Sequence, residues 1–137
     1  SVLALINQAD PAELYKWALF DRPPMSQWGK GCITLLGDAC HPTLPFMAQG
    51  AAMAIEDAAV LAGCLSQDQS VARAVRRYED LRRQRTAVIQ LGSRRNARVF
   101  HLNGISAWLR NRAAGLARRN SMDALFSYDP LTAVRDD

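Results

Sequence analysis

The fold is decided by residues 32–58, which read CITLLGDACHPTLPFMAQGAAMAIEDA. The apolar run at 32–36 is typical of a strand buried on both faces. A loop with two prolines follows, and an alanine-rich helix is predicted from Gly50 onward. Gly37 and Asp38 stand where the strand would end, which is the edge at which open α/β sheets bind their ligands. We therefore expect a binding site at this junction.

Two features of the junction favour an elongated ligand. Asp38 has no cationic neighbour in the local sequence, so its natural partner is a hydroxyl donor, at roughly 1.5–3 kcal/mol for a charge-assisted hydrogen bond. Gly50 lets a flat ligand approach the backbone closely. The next amides, at Ala51 and Ala52, lack intrahelical acceptors and carry the positive end of the helix dipole. Together these groups could hold the two parts of one cofactor.

These residues carry a resemblance to a known family. The run Gly37-Asp38-Ala39-Cys40-His41-Pro42, followed by Pro45, Ala48-Gln49-Gly50-Ala51 and Glu56-Asp57-Ala58, resembles the second FAD-binding motif of the single-component flavin aromatic hydroxylases. Salicylate hydroxylase and 6-hydroxynicotinate 3-monooxygenase belong to this group. Similar residues also occur at 19–22, Trp28, Tyr78, Glu79, Arg82, Ser93, Asn96, 100–102 and 125–130. The resemblance therefore covers most of the chain.

The resemblance implies roles for particular residues. Asp38 is expected to accept from a ribityl hydroxyl of FAD, and the amides of Ala51 and Ala52 are expected to face the flavin ring. Pro45 is expected to lie against the flavin near the substrate, flanked by Leu44 and Phe46. The full set implied to bind the cofactor is Gly37, Asp38, Pro45, Gln49, Gly50, Ala51 and Ala52. The resemblance assigns no catalytic residue, and many members have glycine where this chain has Met47.

The resemblance also implies an activity. Members hydroxylate an aromatic ring, a phenolic acid or a hydroxypyridine, with NAD(P)H and O2, and FAD is the cofactor. Two alternatives stay open. The first is another flavoprotein of the same superfold, such as a ubiquinone-pathway hydroxylase or an epoxidase, because one fold supports several chemistries. The second is a non-enzymatic helical binding module that uses its basic residues.

The family's other FAD-binding motif is absent from the chain. A Gly-x-Gly-x-x-Gly turn binds the pyrophosphate, and no such sequence occurs here. We therefore expect the chain to be the C-terminal part of an α/β parent, holding half of the cofactor site. The predicted segments are the edge of a substrate-binding domain at 1–28, the FAD motif at 29–66 and a helical part at 67–137. An edge strand is predicted at Tyr15–Phe20, so the chain itself should be mostly α-helical with one or two short strands.

Helical patterns and charge dominate the rest of the sequence. Helices are predicted at the N-terminus, from Gly50 to Leu65, from Ser70 onward and after Asn103-Gly104, the last including Leu116. The helix from Gly50 is apolar nearly all round and should be buried on most sides. Arginines crowd one face of the helix from Ser70 and explain the net charge of +4 and the pI near 9.3. Without a nucleic-acid motif or interleaved aromatics, we expect this face to be solvated or paired with the N-terminal remainder rather than bound to nucleic acid.

Several chemically active side chains have two possible roles, one in catalysis and one in structure. Asp57 and His41 could act in proton transfer, but a structural hydrogen bond and a loop-structuring role are favoured, and His101 suits packing. The three cysteines lack metal-ligand spacing and fit small buried residues of a reducing cytoplasm, so no metal is expected. No apolar run approaches the ~20 residues of a membrane span. The ring substrate, the choice of NADH or NADPH, the catalytic base and the oligomeric state, including a homodimer, stay open.

Overall fold

The computed structural model describes residues 2–114 and 123–135. Its α-helices are α1 (Val2–Ile6), α2 (Gly50–Gln67), α3 (Val71–Phe100), α4 (Gly104–Ala114), α5 (Asp123–Phe126) and α6 (Pro130–Arg135). Single 3₁₀ turns occur at Pro11–Glu13, Gly37–Ala39 and Pro45–Met47. The four helices predicted from sequence are confirmed, although Leu116, assigned to the last of them, lies outside the described residues.

The core is formed where α2 and α3 pack as an antiparallel pair. The connection between them is short, and α6 returns to cover α2 through Val134. The buried residues of α2 recur at helical spacing, namely Met53, Asp57, Val60 and Cys64. The core cluster consists of Trp28, Cys40, Val60, Cys64, Ala74, Tyr78 and Val134. The loop before α2 is therefore anchored in the same core as the two helices.

One expectation for α2 is wrong. The helix buries one stripe rather than most of its circumference, and Ile55 on the outer side is 71% exposed. The described residues supply a neighbour for α2 on the faces that contact α3, α6 and the Gly37–Ala39 turn. Alanines line much of the remaining surface, and burying them gains little because their side chains are small.

The predicted strands are also not formed among the described residues. Residues 32–36 run beside 28–30 through one isolated antiparallel bridge, Lys30–Ile33, with a further hydrogen bond from Leu35 N to Trp28 O at 3.2 Å. Ile33 is 74% exposed, so this run is not buried on both faces. Residues 15–20 have no regular structure. A strand requires a neighbouring strand for its backbone hydrogen bonds. Among the described residues, 32–36 have only the short pairing with 28–30, and 15–20 have no such neighbour.

Length and hydropathy bear on membrane insertion. Within the parts of the chain that the structure describes, no helix is both long enough and apolar enough to cross a bilayer. The 30-residue α3 has the required length, but its arginines make it strongly polar.

Candidate functional site

The loop between residues 37 and 49 joins the extended run 32–36 to α2. It opens with the Gly37–Ala39 turn, where Gly37 has a φ of +61°, a conformation that favours glycine. A Cβ at Gly37 would lie 3.4 Å from the Ala54 side chain, so the turn packs closely against α2. Asp38 follows immediately and is exposed. The backbone is thus held against the helix while the carboxylate of Asp38 faces outward.

Asp38 borders a small cleft. The cleft has a volume of about 210 Å³ and is lined by Phe20, Asp21, Arg22, Asp38 and Pro42. No group among the described residues forms a hydrogen bond or an ion pair with the Asp38 carboxylate. Arg22 brings a cation into the cleft that the local sequence around Asp38 lacks, and its guanidinium donates to Ala39 O. The buried Arg22 Nε has no partner among the described residues, so the group that the cleft offers to a ligand is the acceptor at Asp38.

The buried carboxylate of Asp57 holds the Gly37–Ala39 turn in place. Asp57 of α2 accepts from Gly37 N at 3.0 Å, from His41 Nε2 at 2.6 Å and from Arg82 Nε at 2.7 Å. Because a carboxylate only accepts, the His41 nitrogen is the donor. Burial alone would raise the pKa of Asp57, but the hydrogen bonds from His41 and Arg82 outweigh it and hold the pKa below its usual range. The structural readings of Asp57 and His41 therefore fit this geometry.

The same network extends along α3. Arg82, which is fully buried, also pairs with Glu56 at 2.7 Å, and Glu56 in turn pairs with Arg85 at 2.8 Å. Burial would raise the pKa of Glu56, yet the two arginines keep it low. The Arg85 guanidinium carbon lies 4.2 Å from the centre of the Tyr128 ring, within cation–π range. These contacts join α2, α3 and the C-terminal segment beneath the loop.

Cys40, His41 and Asp57 also lie close enough to suggest a metal site. Their potential ligand atoms are within 4.8 Å of one another, and all three residues are buried. However, both Asp57 oxygens already accept hydrogen bonds, and burial with the nearby Asp57 charge raises the pKa of Cys40 to about 12. A metal requires the thiolate form of cysteine. The donor set therefore fits a hydrogen-bonded anchor better than a metal ion.

The start of α2 is open. Gln49 precedes the helix, is 6% exposed and gives no side-chain cap, and the first helical backbone hydrogen bond is Met53 N to Gln49 O at 2.9 Å. The amides of Ala51 and Ala52 have no acceptor among the described residues. A Cβ built on Gly50 would lie only in ordinary contact, 3.7 Å from Thr43 Cγ2. Internal packing therefore does not require glycine at this position.

Residues 42–47, which we call the prolyl loop, precede that helix start. Met47 lies in the 3₁₀ turn Pro45–Met47, and the left-handed residue is Ala48, with a φ of +52°. Met47 thus occupies a backbone conformation that does not need glycine. A Cβ built on Gly92 would lie 2.8 Å from the Met47 sulfur, which is too close. The absence of a side chain at Gly92 of α3 therefore leaves space for Met47.

The arginines of α3 are mostly paired within the chain, not free. Arg73 and Arg83 nevertheless keep 75% and 41% of their side chains exposed, which agrees with a solvated face, and pairing with an N-terminal remainder stays a prediction. The partners are Asp68 for Arg73, Glu79 for Arg76, Gln67 for Arg77, Asp57 and Glu56 for Arg82, Asp80 for Arg83, Glu56 for Arg85 and Asp21 for Arg94. A nucleic-acid surface needs free cations directed at phosphates, and this geometry leaves few of them. The binding-module alternative therefore loses its main support.

Sequence reasoning did not assign roles to Gln90, Ser93 and Asn96 of α3. All three donate to carbonyls of the prolyl loop, and Gln90 and Ser93 are 2% and 0% exposed. The signal that could have found them is their spacing. They repeat at three-residue steps along the helix face that also buries Thr86 and Ile89, where unpaired polar groups would be costly.

Comparison with known proteins identifies the class to which this loop belongs. Residues 7–91 match the family described as FAD binding domain. That match spans more than half of the 137 residues, and the chain accordingly belongs to the FAD binding domain family. The match includes the Gly37–Ala39 turn, the prolyl loop and the whole of α2.

Individual relatives are aromatic hydroxylases by name. The chain is 46% identical over 131 residues to 6-hydroxynicotinate 3-monooxygenase of Bordetella bronchiseptica, covering 94% of this chain and 29% of that protein. It is 45% identical over 102 residues to 3-hydroxybenzoate 6-hydroxylase of Klebsiella oxytoca, covering 74% of this chain and 26% of that protein. The chain thus spans less than a third of the length of these curated relatives.

Solved structures show the same similarity. A salicylate hydroxylase substrate complex superposes with a TM-score of 0.68 at 28% identity, covering 87% of this chain and 30% of that one. A Klebsiella pneumoniae HpxO variant complexed with FAD superposes with a TM-score of 0.74 at 30% identity, covering 96% of this chain and 35% of that one. The fold of the described residues is therefore that of a segment of FAD-binding hydroxylases.

Proposed function

We propose that the chain is the C-terminal part of an FAD-dependent monooxygenase that hydroxylates a phenolic acid or a hydroxypyridine with NAD(P)H and O2. The observation that carries the proposal is the unpartnered, outward-facing carboxylate of Asp38 on a turn held from beneath by Asp57. The relatives named as hydroxylases of 3-hydroxybenzoate and 6-hydroxynicotinate support the substrate class.

The residues at the loop fit FAD. Asp38 would accept from a ribityl hydroxyl, with Gly37 shaping the turn and Arg22 lining the same cleft. The open helix start, with Gln49, Gly50, Ala51 and Ala52, would present amides and a positive dipole end to the electron-rich edge of the flavin ring. When bound, FAD supplies the redox and oxygen chemistry, while the protein positions and tunes it.

Substrate would bind at the prolyl loop. Leu44, Pro45 and Phe46 would form one wall for a small aromatic ring, with Pro45 also against the flavin. Leu44 and Phe46 are half-buried and Pro45 is exposed, so this wall is accessible. We assign no catalytic base within the chain, because the groups best suited to proton transfer, His41 and Asp57, already form hydrogen bonds in the core.

The surroundings of the chain follow from the same proposal. We place residues 1–28 at the edge of a substrate-binding domain, 29–66 in the FAD motif and 67–137 in a C-terminal helical part of an α/β parent. Strongly exposed apolar side chains, such as Trp17 at 82% and Phe20 at 84%, would pack against the N-terminal remainder of that parent. Among the described residues, Cys32, Cys40 and Cys64 are not joined by disulfide bonds, which suits a reducing cytoplasm.

Product analysis of the full-length protein tests the function. Purified protein with bound FAD would be mixed in air with salicylate, 3-hydroxybenzoate or 6-hydroxynicotinate and with NADH or NADPH. We expect a hydroxylated ring product in step with NAD(P)H consumption for at least one of these compounds. Turnover of a quinone precursor or epoxidation of an alkene, with none of these rings hydroxylated, would favour the other flavoproteins of the superfold. A protein that binds no FAD would overturn the proposal.

A further inference from the structure

Three polar side chains of α3 each donate a hydrogen bond to a different backbone carbonyl of the prolyl loop. The donors stand three residues apart on the helix, and their acceptors stand two residues apart on the loop. The hydrogen bonds run from Gln90 Nε2 to Pro42 O at 3.0 Å, from Ser93 Oγ to Leu44 O at 2.5 Å and from Asn96 Nδ2 to Phe46 O at 3.2 Å. We call this set the amide–hydroxyl ladder.

The ladder ties the position of the loop to the helix. Three residues of α-helix rise about 4.5 Å, and two residues of extended chain span up to about 6.6 Å, so the loop can run alongside α3 in register. Gln90 and Ser93 are almost fully buried, and a loop that moved away would leave their polar groups without partners. The loop is therefore held in one place along the helix.

Side chains at the end of α3 hold the same loop from another direction. The Phe46 ring packs edge-on against Phe100 and His101, with ring centres 5.9 Å and 5.7 Å away. His101 Nδ1 lies 2.6 Å from Ala97 O, which fixes the orientation of its ring. Backbone and side chain of Phe46 are thus both held by the last turns of α3.

We propose that Gln90, Ser93 and Asn96 are positioning residues that set substrate affinity and the coupling of NAD(P)H oxidation to ring hydroxylation. They act through the prolyl loop, by holding Leu44, Pro45 and Phe46 at a fixed distance from the bound ring. This inference rests on the proposed function of the loop. In the coupled reaction, O2 and the two electrons of NAD(P)H place one oxygen atom on the ring and release the other as water. When the ring is misplaced, O2 instead takes the same two electrons and two protons and leaves as hydrogen peroxide, with NAD(P)+ formed in both cases.

The test compares variants of the full-length, FAD-bound protein. Ser93→Ala removes the hydroxyl, and Asn96→Ala removes the amide donor without adding a charge. Ser93→Thr keeps the hydroxyl and serves as the conservative rescue. Gln90→Ala is matched by Gln84→Ala, because Gln84 is an exposed glutamine of the same helix with no hydrogen-bond partner among the described residues.

The readouts separate positioning from general packing. For Ser93→Ala, Asn96→Ala and Gln90→Ala we expect the substrate Kd, read from the flavin spectrum, to rise about three- to tenfold, as for loss of one neutral hydrogen bond. The peroxide yield per NAD(P)H should rise with it while FAD content stays near that of wild type, and the fall in Tm that follows from truncating a buried side chain should not scale with the rise in Kd. Ser93→Thr should keep Kd and peroxide yield closer to wild type than Ser93→Ala does, and Gln84→Ala should behave like wild type.

Two results would overturn the inference. In the first, substrate Kd and peroxide yield are unchanged in both Ser93→Ala and Asn96→Ala. In the second, FAD content and Tm fall in proportion to substrate affinity, which would mean that the ladder only stabilises the fold. Asn96 is half-buried and its variant perturbs the core least, so it decides the outcome if Ser93→Ala does not fold. A wild-type protein that hydroxylates none of the rings would instead contradict the proposed function itself.

Discussion

Arg82 Nε lies 2.7 Å from Asp57 Oδ1, and both side chains are 0% exposed. This pair joins α3 to α2 directly beneath the Gly37–Ala39 turn, because Asp57 also accepts from Gly37 N. A buried ion pair is tolerated only where further hydrogen bonds satisfy both charges. Here His41 and Glu56 supply them. The pair explains how the exposed Asp38 can follow a turn whose backbone is held in place by buried hydrogen bonds.

Removing the Asp57 charge should destabilise the protein strongly. In Asp57→Asn the buried Arg82 loses one of its two counter-charges, and breaking a buried pair in this way costs about 3–5 kcal/mol of unfolding free energy. The matched control is Asp80→Asn, which breaks the exposed pair with Arg83 and should cost at most about 1 kcal/mol. Urea unfolding of both variants measures the difference. Equal losses would show that the Asp57 network does not hold the fold.

The same carboxylate predicts a dependence on pH. Since the folded-state pKa of Asp57 is held below its ordinary value of about 4, its contribution is fully present above that value and is lost as pH falls through the folded-state pKa. The difference in unfolding free energy between wild type and Asp57→Asn should therefore be constant near neutral pH and shrink below about pH 4. Thermal unfolding across pH 3–7 measures it. A difference that grew on acidification would have the wrong sign.

Met47 and Gly92 should be energetically coupled. Alanine is favoured over glycine inside a helix by about 1 kcal/mol, but in wild type the new Cβ would meet Met47 Sδ at 2.8 Å. Gly92→Ala should thus stabilise the protein by about 1 kcal/mol when Met47 is also replaced by alanine, and should gain less in wild type. A double-mutant cycle in urea measures this coupling. Identical effects in both backgrounds would mean that the two residues do not share this space.

The sequence predicts the helices well because their information is local. Periodic apolar positions and the breaks at 68–70 and 101–103 place α2, α3 and α4 without reference to distant residues. Strands depend on neighbours far along the chain, and residues 15–20 and 32–36 find none among the described residues. The strand predictions for those two runs, which used local propensity alone, are therefore wrong.

Part of the candidate site is also predictable from sequence, because its residues are close together along the chain. The turn at Gly37 and Asp38 and the helix start at Gly50 lie in one continuous motif, so their order along the chain already suggests a single loop. The anchor at Arg82 and the ladder at Ser93 come from a helix some thirty or more residues later, and composition shows only that α3 is basic. Pairing among these charges becomes visible only in three dimensions.

The central claim is that Asp38 holds FAD, and titration of the cofactor tests it most directly. Apoprotein of the full-length wild type, of Asp38→Ala and of Glu13→Ala would be titrated with FAD, following the quenching of flavin fluorescence. Glu13 is the control because it is an exposed acid with no partner for its carboxylate among the described residues. Loss of a charge-assisted hydrogen bond, about 1.5–3 kcal/mol, predicts a Kd roughly ten- to 150-fold higher for Asp38→Ala and unchanged for Glu13→Ala. Equal Kd values for Asp38→Ala and wild type would contradict the account.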